Sequence, residues 1–326
     1  MDDHIRTTIA AKEIIATRRQ LARIVNSDIR YIEAIVSNPR DFYHEFTIPK
    51  KNGEPRTIRP PFLRFRNLQR LLLMEFYRRT SLRSCLHGSI PGKSIITHAR
   101  AHVDREMVCT LDIRKFFPST NSAHLLPVFT ALGFVDEAAE VLLRLVTLDN
   151  ALPQGAPTSA ILANLAFAPG DTNNLYLCRK HTLRYSRYVD DIAISGDRDF
   201  RHLEGAFLDV IKACGYEVAD DKIHFRRRDE RQIITGLIVN RQLRPTKEFI
   251  DELKATIRSC MNHGAAIVAC GDGISIKKLK AQLTGRVSHV RQIDEKLGNR
   301  LRGRLCSVDW RSKWTYPQMV GALRRV

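Results

Sequence analysis

Apolar residues along the first third of the chain recur every three to four positions. This spacing predicts two helices within residues 5–37, with a break near Asn26 and Ser27, and a further helix over residues 63–77.

A basic hairpin is predicted between these helices. Residues 42–48 alternate apolar and polar positions like a strand, residues 50–53 have the composition of a turn, and residues 56–59 form the return strand.

The middle of the chain predicts short strands that end in acidic residues. Residues 107–113 form one apolar strand, and residues 116–119 break it before a helical stretch through residue 148. Residues 183–195 give the clearest hairpin signal, with two β-prone arms around Asp190 and Asp191.

The last third predicts a helix over residues 206–214, strands over 217–223 and 233–239, and then helices over 247–261 and 276–297. Helices, a mixed sheet and terminal helices follow one another without regular βαβ alternation. The predicted fold class is therefore α+β.

The charge of the chain indicates a polyanionic partner. It has 53 Lys and Arg against 35 Asp and Glu, a net charge of +18, and residues 241–326 alone hold 18 basic and 7 acidic residues. Nucleic acid is the first candidate. A basic surface that serves only solubility is the alternative.

The cysteines and the N-terminus indicate a cytoplasmic protein. Seven cysteines, none in a C-x-x-C pair, argue against a disulfide framework. The N-terminus has no signal-peptide pattern, and no apolar run is long enough to span a membrane. We therefore expect no membrane contact.

Three acidic residues in apolar surroundings are candidates for metal binding. Asp112 ends one predicted strand, and Asp190 and Asp191 lie at the tip of the predicted hairpin. Burial of these carboxylates is costly unless a cation neutralises them. Two divalent ions about 4 Å apart, held by carboxylates, are the means by which polymerases transfer nucleotides. An Asp-Asp pair alone is weak support, since two other such pairs in this chain are interpreted as solvated acids.

Three segments, in this order, resemble motifs A, B and C of reverse transcriptases. They are Leu111–Ser119 (LDIRKFFPS), Leu152–Ser159 (LPQGAPTS) followed by Ala163–Leu165, and Tyr188–Asp191 (YVDD). The resemblance runs from the basic hairpin to about residue 240 and, by architecture, to the C-terminus. It implies a right-hand polymerase architecture with fingers, a palm built on an antiparallel sheet, and a helical thumb.

The resemblance also implies domain boundaries. Residues 1–103 would form the N-terminal helices and fingers, and residues 104–240 the palm, with a fingers-like insertion at about 120–150. Residues 241–326 would form the basic helical thumb.

Carried over to this chain, the motifs imply metal ligation by Asp112 and Asp190, with Asp191 at the same site and the carbonyl of Ile113 as a further ligand. The implied cofactor is a pair of Mg²⁺ ions, with Mn²⁺ as the alternative. Lys222 resembles the motif D lysine, which implies a proton donor to pyrophosphate.

The same resemblance implies a dNTP-binding site. Phe117 falls where the family's aromatic residue blocks the 2′-hydroxyl of a ribonucleotide, with a core aromatic as the alternative interpretation. Gln154 and Gly155 fall on the Pro-Gln-Gly turn that lies along the nascent base pair and the template. The hairpin cations that would meet the triphosphate are Lys51, Arg56 and Arg59, with a merely solvated hairpin as the alternative.

Two further segments resemble elements of retron reverse transcriptases. Residues 96–102 resemble their Asn-Ala-x-x-His element, with His98 in place of Asn, and residues 234–236 resemble their Val-Thr-Gly element. Val189 is a further departure, because Ala is commoner there. The implied RNA-binding residues, thumb included, are His98, His102, Thr235, Gly236, Lys277, Lys278, Arg286 and Arg291. Core packing is the alternative for the two histidines, and a zinc site lacks a third ligand.

A retron enzyme is therefore expected. Its partner would be a cognate structured noncoding RNA that serves as template and, through a guanosine 2′-hydroxyl, as primer. With dNTPs it would yield a branched RNA–DNA hybrid (msDNA) for anti-phage defence, alongside an effector protein in some systems. The alternatives are a non-retron bacterial reverse transcriptase, defence-associated or diversity-generating, and an RNA-binding scaffold in which catalysis is dispensable.

Overall fold

The computed structural model of this protein describes residues 13–49, 53–219 and 222–311. The chain divides into two compact units, residues 1–230 and 231–326. Each unit has its own hydrophobic core.

Helices contribute more residues than strands to the described part of the first unit. Their bounds are α1 Arg18–Ile24, α2 Ile29–Ser37, α3 Leu63–Arg79, α4 Ile95–Arg100, α5 Phe116–Ser119, α6 Ser122–Ala131, α7 Asp136–Val146, α8 Ser159–Ala166, α9 Ala168–Lys180 and α10 Glu204–Ala213, with short 3-10 helices at Pro39–Phe42 and Arg201–Leu203.

The strands of this unit form two antiparallel sheets. One pairs β1 Phe46–Pro49 with β2 Pro55–Ile58. The other has the order β4-β5-β3-β6 and comprises β3 Met107–Asp112, β4 Arg184–Tyr188, β5 Asp191–Gly196 and β6 His224–Arg227. The combination of helices and antiparallel sheet confirms the α+β prediction.

The break predicted between the first two helices is confirmed. The side chain of Thr17 accepts a hydrogen bond from the backbone of Gln20 and begins α1, and Asp28 caps α2 in the same way. Asn26, between the helices, has a φ of 44°, which a helix cannot accommodate.

The hydrophobic core fixes the central strands of the larger sheet. Leu111 of β3 and Ile192 and Ile194 of β5 are buried in one cluster with Phe207 and Ile211 of α10. Close packing of this kind leaves little freedom in how the two strands end.

The strand predicted over residues 217–223 is wrong, because the paired strand is β6, which begins after it. Within the predicted range, Val218 forms only an isolated bridge with Ile113. The amide of Ala219 donates to the carbonyl of Asp112 (3.1 Å), so residues 217–219 lie antiparallel beside the end of β3.

The helical stretch predicted after residue 119 is confirmed and consists of two helices, α6 and α7, while the predicted break at residues 116–119 contains the short helix α5. Asn121 caps α6 in a box with His124. Gly133 and Asp136, with φ values of 85° and 49°, then turn the chain before α7 continues.

The second unit consists of a small sheet followed by helices. Its elements are β7 Ile233–Ile234, β8 Leu237–Ile238, β9 Arg244–Pro245, α11 Lys247–His263, α12 Ala265–Gly271, α13 Ile276–Ile293 and α14 Glu295–Cys306. The helices predicted over residues 247–261 and 276–297 are confirmed, and the part of the helical prediction beyond residue 311 lies outside the described residues.

The continuous strand predicted over residues 233–239 is wrong. Thr235 and Gly236 have φ values of 46° and 83°, and they form a two-residue turn that pairs Ile234 with Leu237. Positive φ at both central positions is what a tight hairpin turn requires.

The boundary between the two compact units falls between residues 230 and 231 along the chain. The palm–thumb boundary at 240/241 stays a prediction about function. Among the described helices, none combines the length and the apolar character that a membrane crossing needs.

Candidate active site

Three carboxylates converge where the central strands end. Asp112 is the last residue of β3 and Asp191 the first of β5, and the two lie directly opposite each other in the antiparallel register. Tyr188 pairs with Asp191, so Val189 and Asp190 form the two-residue turn between β4 and β5. The Cα atoms of paired residues are about 4.5–5.5 Å apart.

A backbone hydrogen bond ties the turn to the end of β3. The amide of Ile113 donates to the carbonyl of Asp190 over 3.1 Å. The turn that carries Asp190 therefore keeps a fixed relation to the strand that carries Asp112.

Burial and mutual repulsion raise the pKa values of two of these acids. Burial, followed by the charge of Asp112, raises the pKa of Asp190. Burial, and then the charges of Asp190 and Asp112, raise the pKa of Asp191 to about 7. A bound cation would relieve this cost, because it favours the ionised form of every carboxylate around it.

Lys222 already supplies one positive charge. Its Nζ lies 3.0 Å from Oδ1 of Asp112. Burial, the largest single influence, lowers the pKa of Lys222, but the hydrogen bond to Asp112 and the negative charges of Asp112, Asp190 and Asp191 together outweigh it and the pKa is raised. Lys222 therefore stays protonated at neutral pH, beside the carboxylates, as its predicted role requires.

The three carboxylates suit Mg²⁺, although they do not form a closed cage. Among the described residues, no three His, Cys, Asp or Glu side chains are gathered tightly enough for a ready-made metal site. Mg²⁺ usually binds one or two carboxylates, several waters and substrate phosphates rather than an all-protein cage. An open, acidic strand end fits that chemistry.

Val189, the first residue of this turn, has an energetically unfavourable backbone conformation. Val189 has a φ of 59°, and a β-branched residue in this left-handed region costs about 1–3 kcal/mol. Gly88 packs directly beneath it, since a Cβ at Gly88 would lie 2.5 Å from the backbone nitrogen of Val189. Only glycine fits there without a shift of the turn.

The structure brings part of the predicted dNTP-binding set together. The amide of Arg59 donates to the carbonyl of Gln154 (2.7 Å), and Gly155 lies against Ile58. The positive charge of Arg56 lowers the pKa of Asp190, which opposes the effect of burial. The basic hairpin thus lies beside the Pro-Gln-Gly turn and within electrostatic reach of the carboxylates.

The other predicted dNTP-binding side chains are partly engaged within the protein or lie outside the described residues. The guanidinium of Arg59 is already bound by Glu45 (2.6 Å) and Asp149 (3.4 Å). Phe117 is half-buried on α5, 6.2 Å from the ring of Phe116, so the geometry allows both the gate and the core interpretation. Lys51 lies outside the described residues.

The RNA-binding prediction for the two histidines needs correction. His98 and His102 are both 0% exposed. The ring nitrogens of His102 hydrogen-bond to Ser195 and Ser186, each over 2.7 Å, and His98 stacks on Tyr188 at 6.0 Å. Neither ring is presented to a ligand, so packing beneath the hairpin is the role that the structure supports.

The remaining RNA-binding candidates lie in the second unit. Gly236 is exposed at the tip of the β7–β8 turn with Thr235 beside it, and Lys277, Lys278 and Arg291 are exposed on α13. Arg286 is half-buried instead, with Glu252 at 2.9 Å and the ring of Phe249 at 4.8 Å. Its guanidinium is therefore engaged within the unit.

The residues that support the Val189–Asp190 turn were not predicted from the sequence. Arg187 and Asp171 are 0% exposed and form an ion pair of 2.7 Å. The available signal was alternation along β4, which places Arg187 on the same face as Tyr185. A charged residue on an inward face needs a buried partner, and nothing local in the sequence identified Asp171 as that partner.

Comparison with known families matches residues 48–253 to the family described as "Reverse transcriptase (RNA-dependent DNA polymerase)". The chain is 30% identical to the Retron Mx65 reverse transcriptase of Myxococcus xanthus over 82% of its own length and 66% of the relative's. It is 28% identical to the Retron Mx162 reverse transcriptase of the same organism, over 67% and 52%.

A solved structure of a foamy viral protease–reverse transcriptase with double-stranded DNA is 15% identical to this chain, with a TM-score of 0.45, and the match covers 98% of this chain and 49% of that one. The matched part of this chain spans about two thirds of the length of the Retron Mx65 enzyme and about half of the length of the Retron Mx162 enzyme.

Proposed function

This chain belongs to the reverse transcriptase (RNA-dependent DNA polymerase) family, and we propose that it is the RNA-directed DNA polymerase of a retron. The observation that carries the proposal is the meeting of Asp112, Asp190 and Asp191 at the ends of adjacent central strands. All three lie within the residues that match the family.

The proposed metal ligands are Asp112 and Asp190, with Asp191 and the carbonyl of Ile113 completing the site. When bound, two Mg²⁺ ions, or Mn²⁺ ions in their place, would supply Lewis acidity to the attacking hydroxyl and to the leaving pyrophosphate. The raised pKa values of Asp190 and Asp191 support this role, because the carboxylates are held together at an energetic cost that cations would remove.

Lys222 is the proposed proton donor to the leaving pyrophosphate. Its ammonium is 3.0 Å from Asp112 and its side chain is half-exposed, so it can reach a substrate bound at the carboxylates. A general acid must lie within hydrogen-bond reach of the group it protonates.

The proposed nucleotide site uses the hairpin and the Pro-Gln-Gly turn. Arg56 and Arg59 would face the triphosphate, Gln154 and Gly155 the nascent base pair, and Phe117 the 2′ position of the sugar. The hydrogen bond between Arg59 and Gln154 supports this arrangement, because it fixes the cationic strand against the turn. Lys51 stays a predicted member of the site.

The proposed substrate is a cognate structured noncoding RNA that is both template and primer. Priming from a guanosine 2′-hydroxyl would give msDNA, a branched RNA–DNA hybrid, for use in anti-phage defence with an effector in some systems. The names of the relatives and the resemblance at residues 96–102 and 234–236 support this branch. The exposed cations of α13 suit binding to the phosphates of an RNA–DNA duplex.

The proposed division of labour follows the family architecture. Residues 1–103 would serve as N-terminal helices and fingers, residues 104–240 as palm with a fingers-like insertion at about 120–150, and residues 241–326 as thumb, in a cytoplasmic enzyme.

The test is to purify the protein from its native host and to sequence the nucleic acid that remains bound after separate RNase and DNase treatment. The account predicts a short, discrete DNA joined to RNA by a 2′–5′ linkage, absent from the Asp190→Asn, Asp191→Asn double variant.

Two other outcomes would redirect the proposal. If no DNA is bound but the enzyme extends a supplied primer on RNA, the protein is a reverse transcriptase outside the retrons. If the double variant retains full cellular function, the protein acts as an RNA-binding scaffold.

A further inference from the structure

A buried arginine holds the backbone of the turn that carries Asp190. Nη1 of Arg187 donates to the carbonyl of Val189 over 2.6 Å and to Oδ1 of Asn164 over 2.8 Å. One guanidinium nitrogen thus binds both the turn and helix α8, which follows the Pro-Gln-Gly motif.

The rest of the guanidinium is anchored on helix α9. Nε and Nη2 of Arg187 bind the two carboxylate oxygens of Asp171 over 2.9 and 2.7 Å. The hydroxyl of Tyr185 donates to the same carboxylate over 2.7 Å. This two-point pairing fixes the orientation of the planar guanidinium as well as its position.

Aromatic rings and the neighbouring backbone close this network. The guanidinium carbon of Arg187 lies 5.7 Å from the ring centre of Phe116 and 5.0 Å from that of Phe167. The amide nitrogen of Asn164 donates to the carbonyl of Gly88 over 2.9 Å. Val189 packs on Gly88, so the hydrogen bond from Asn164 to Gly88 also fixes the backbone that supports the turn.

The main chain of Arg187 is also fixed by hydrogen bonds. Its amide donates to the carbonyl of Cys85 and its carbonyl accepts from the amide of His87, each over 2.9 Å. These bonds occupy the outer edge of β4, the last strand of the sheet. Neither the side chain nor the main chain of Arg187 can shift without breaking several hydrogen bonds.

We propose that Arg187 is a positioning residue, which holds Val189 in its left-handed conformation and thereby sets the place of Asp190 for metal binding. Asp171 and Asn164 orient Arg187, so the network links the helices after motif B to the turn of motif C. Residues that support a metal ligand in this way typically change metal affinity or activity 10- to 100-fold when they are replaced.

The first test compares Arg187→Lys with Arg79→Lys. Lysine at 187 keeps a cation beside Asp171 but cannot bind Asp171, Asn164 and Val189 together. Arg79 is the matched control, because it is a buried arginine paired with Glu75 in the same unit and has no contact with the turn. The readouts are Mn²⁺ binding by the protein without nucleic acid, followed by calorimetry, the melting temperature, and kcat and KM for dNTP.

We expect Arg187→Lys to bind Mn²⁺ roughly tenfold more weakly than Arg79→Lys and to lower kcat by about 10- to 100-fold, while KM for dNTP stays within about twofold. A purely structural role would lower the melting temperature of both variants and leave Mn²⁺ affinity equal. Equal Mn²⁺ affinity in the two variants would overturn the proposal.

A second variant covers the case in which Arg187→Lys does not fold. Arg187→Met combined with Asp171→Leu removes both charges, and such replacement of a buried pair is often tolerated by the fold. Weakened Mn²⁺ binding in the folded double variant supports the positioning role, and wild-type affinity refutes it.

The inference rests on the proposed polymerase function, and the two can fail separately. A wild type that extends no primer on any template refutes the function. A wild type that is active, with Arg187→Lys indistinguishable from Arg79→Lys, refutes only the positioning role.

Discussion

Replacement of Asp191 by Asn should stabilise the metal-free protein at alkaline pH. Burial, and then Asp190 and Asp112, raise the pKa of Asp191 to about 7, from about 3.9 in an unfolded chain. Each pKa unit corresponds to about 1.4 kcal/mol, so the ionised Asp191 costs the fold roughly 4 kcal/mol. Asn keeps the shape of the side chain and removes that charge.

The sign of the effect follows from proton uptake. Between pH 4 and about 7 the folded protein holds a proton at Asp191 that the unfolded chain releases. The contribution of Asp191 to stability is therefore fully present below about pH 4 and is lost as pH rises through 7. The advantage of Asp191→Asn over the wild type should grow across this range.

Urea unfolding at pH 5, 6, 7 and 8 with EDTA measures this difference. Asp209→Asn, at an exposed position on α10, is the control for removal of an acidic side chain. Mg²⁺ should stabilise the wild type more than Asp191→Asn, because the ion binds the folded carboxylates. A stability difference between wild type and Asp191→Asn that stays constant from pH 5 to pH 8 would refute the reasoning.

Three further predictions concern residues around the carboxylates. Lys222→Met should lower kcat roughly 100-fold in single-turnover extension with KM for dNTP unchanged, since the proton donor is lost; an unchanged kcat would exclude that role. Gly88→Ala should lower the unfolding free energy by about 1–3 kcal/mol and reduce kcat, because a Cβ there meets the nitrogen of Val189 at 2.5 Å. Gly205→Ala, which meets nothing within 4 Å, is the control, and equal behaviour of the two alanine variants would contradict the packing argument. Phe117→Ala should raise ribonucleotide incorporation relative to dNTP by at least about tenfold, and an unchanged ratio would favour the core interpretation.

The position of the hairpin that carries Asp190 and Asp191 could be predicted from the sequence because its signals are local. Apolar strand arms flank Asp190 and Asp191, and Asp112 ends a β-prone run. The register that places Asp112 opposite Asp191 is a long-range property. It depends on how β3 and β5 pack, and alternation along each strand does not specify it.

The errors of the sequence interpretation have equally specific causes. Thr235 occupies a positive φ that Thr seldom adopts, so the turn within residues 233–239 gave no clear signal. His98 and His102 were assigned to RNA because residues 96–102 resemble a retron element, yet Ser186 and Ser195 hydrogen-bond to the ring of His102 inside the core. For His102, tertiary contacts decided the outcome.

The support of the turn by Arg187 could not be predicted for a related reason. Its partners, Asn164 and Asp171, precede it by 23 and 16 positions and lie on two helices. Only the folded arrangement of α8 and α9 against β4 brings them to one guanidinium.

The most direct test of the account is RNA-templated primer extension by the wild type and by Asp190→Asn, with dNTPs and Mg²⁺, at a temperature where both are folded. The account predicts extension by the wild type and a loss of about 10³-fold or more in Asp190→Asn, since a metal ligand is removed. Extension by Asp190→Asn at the wild-type rate would contradict the assignment of this strand end as the catalytic site.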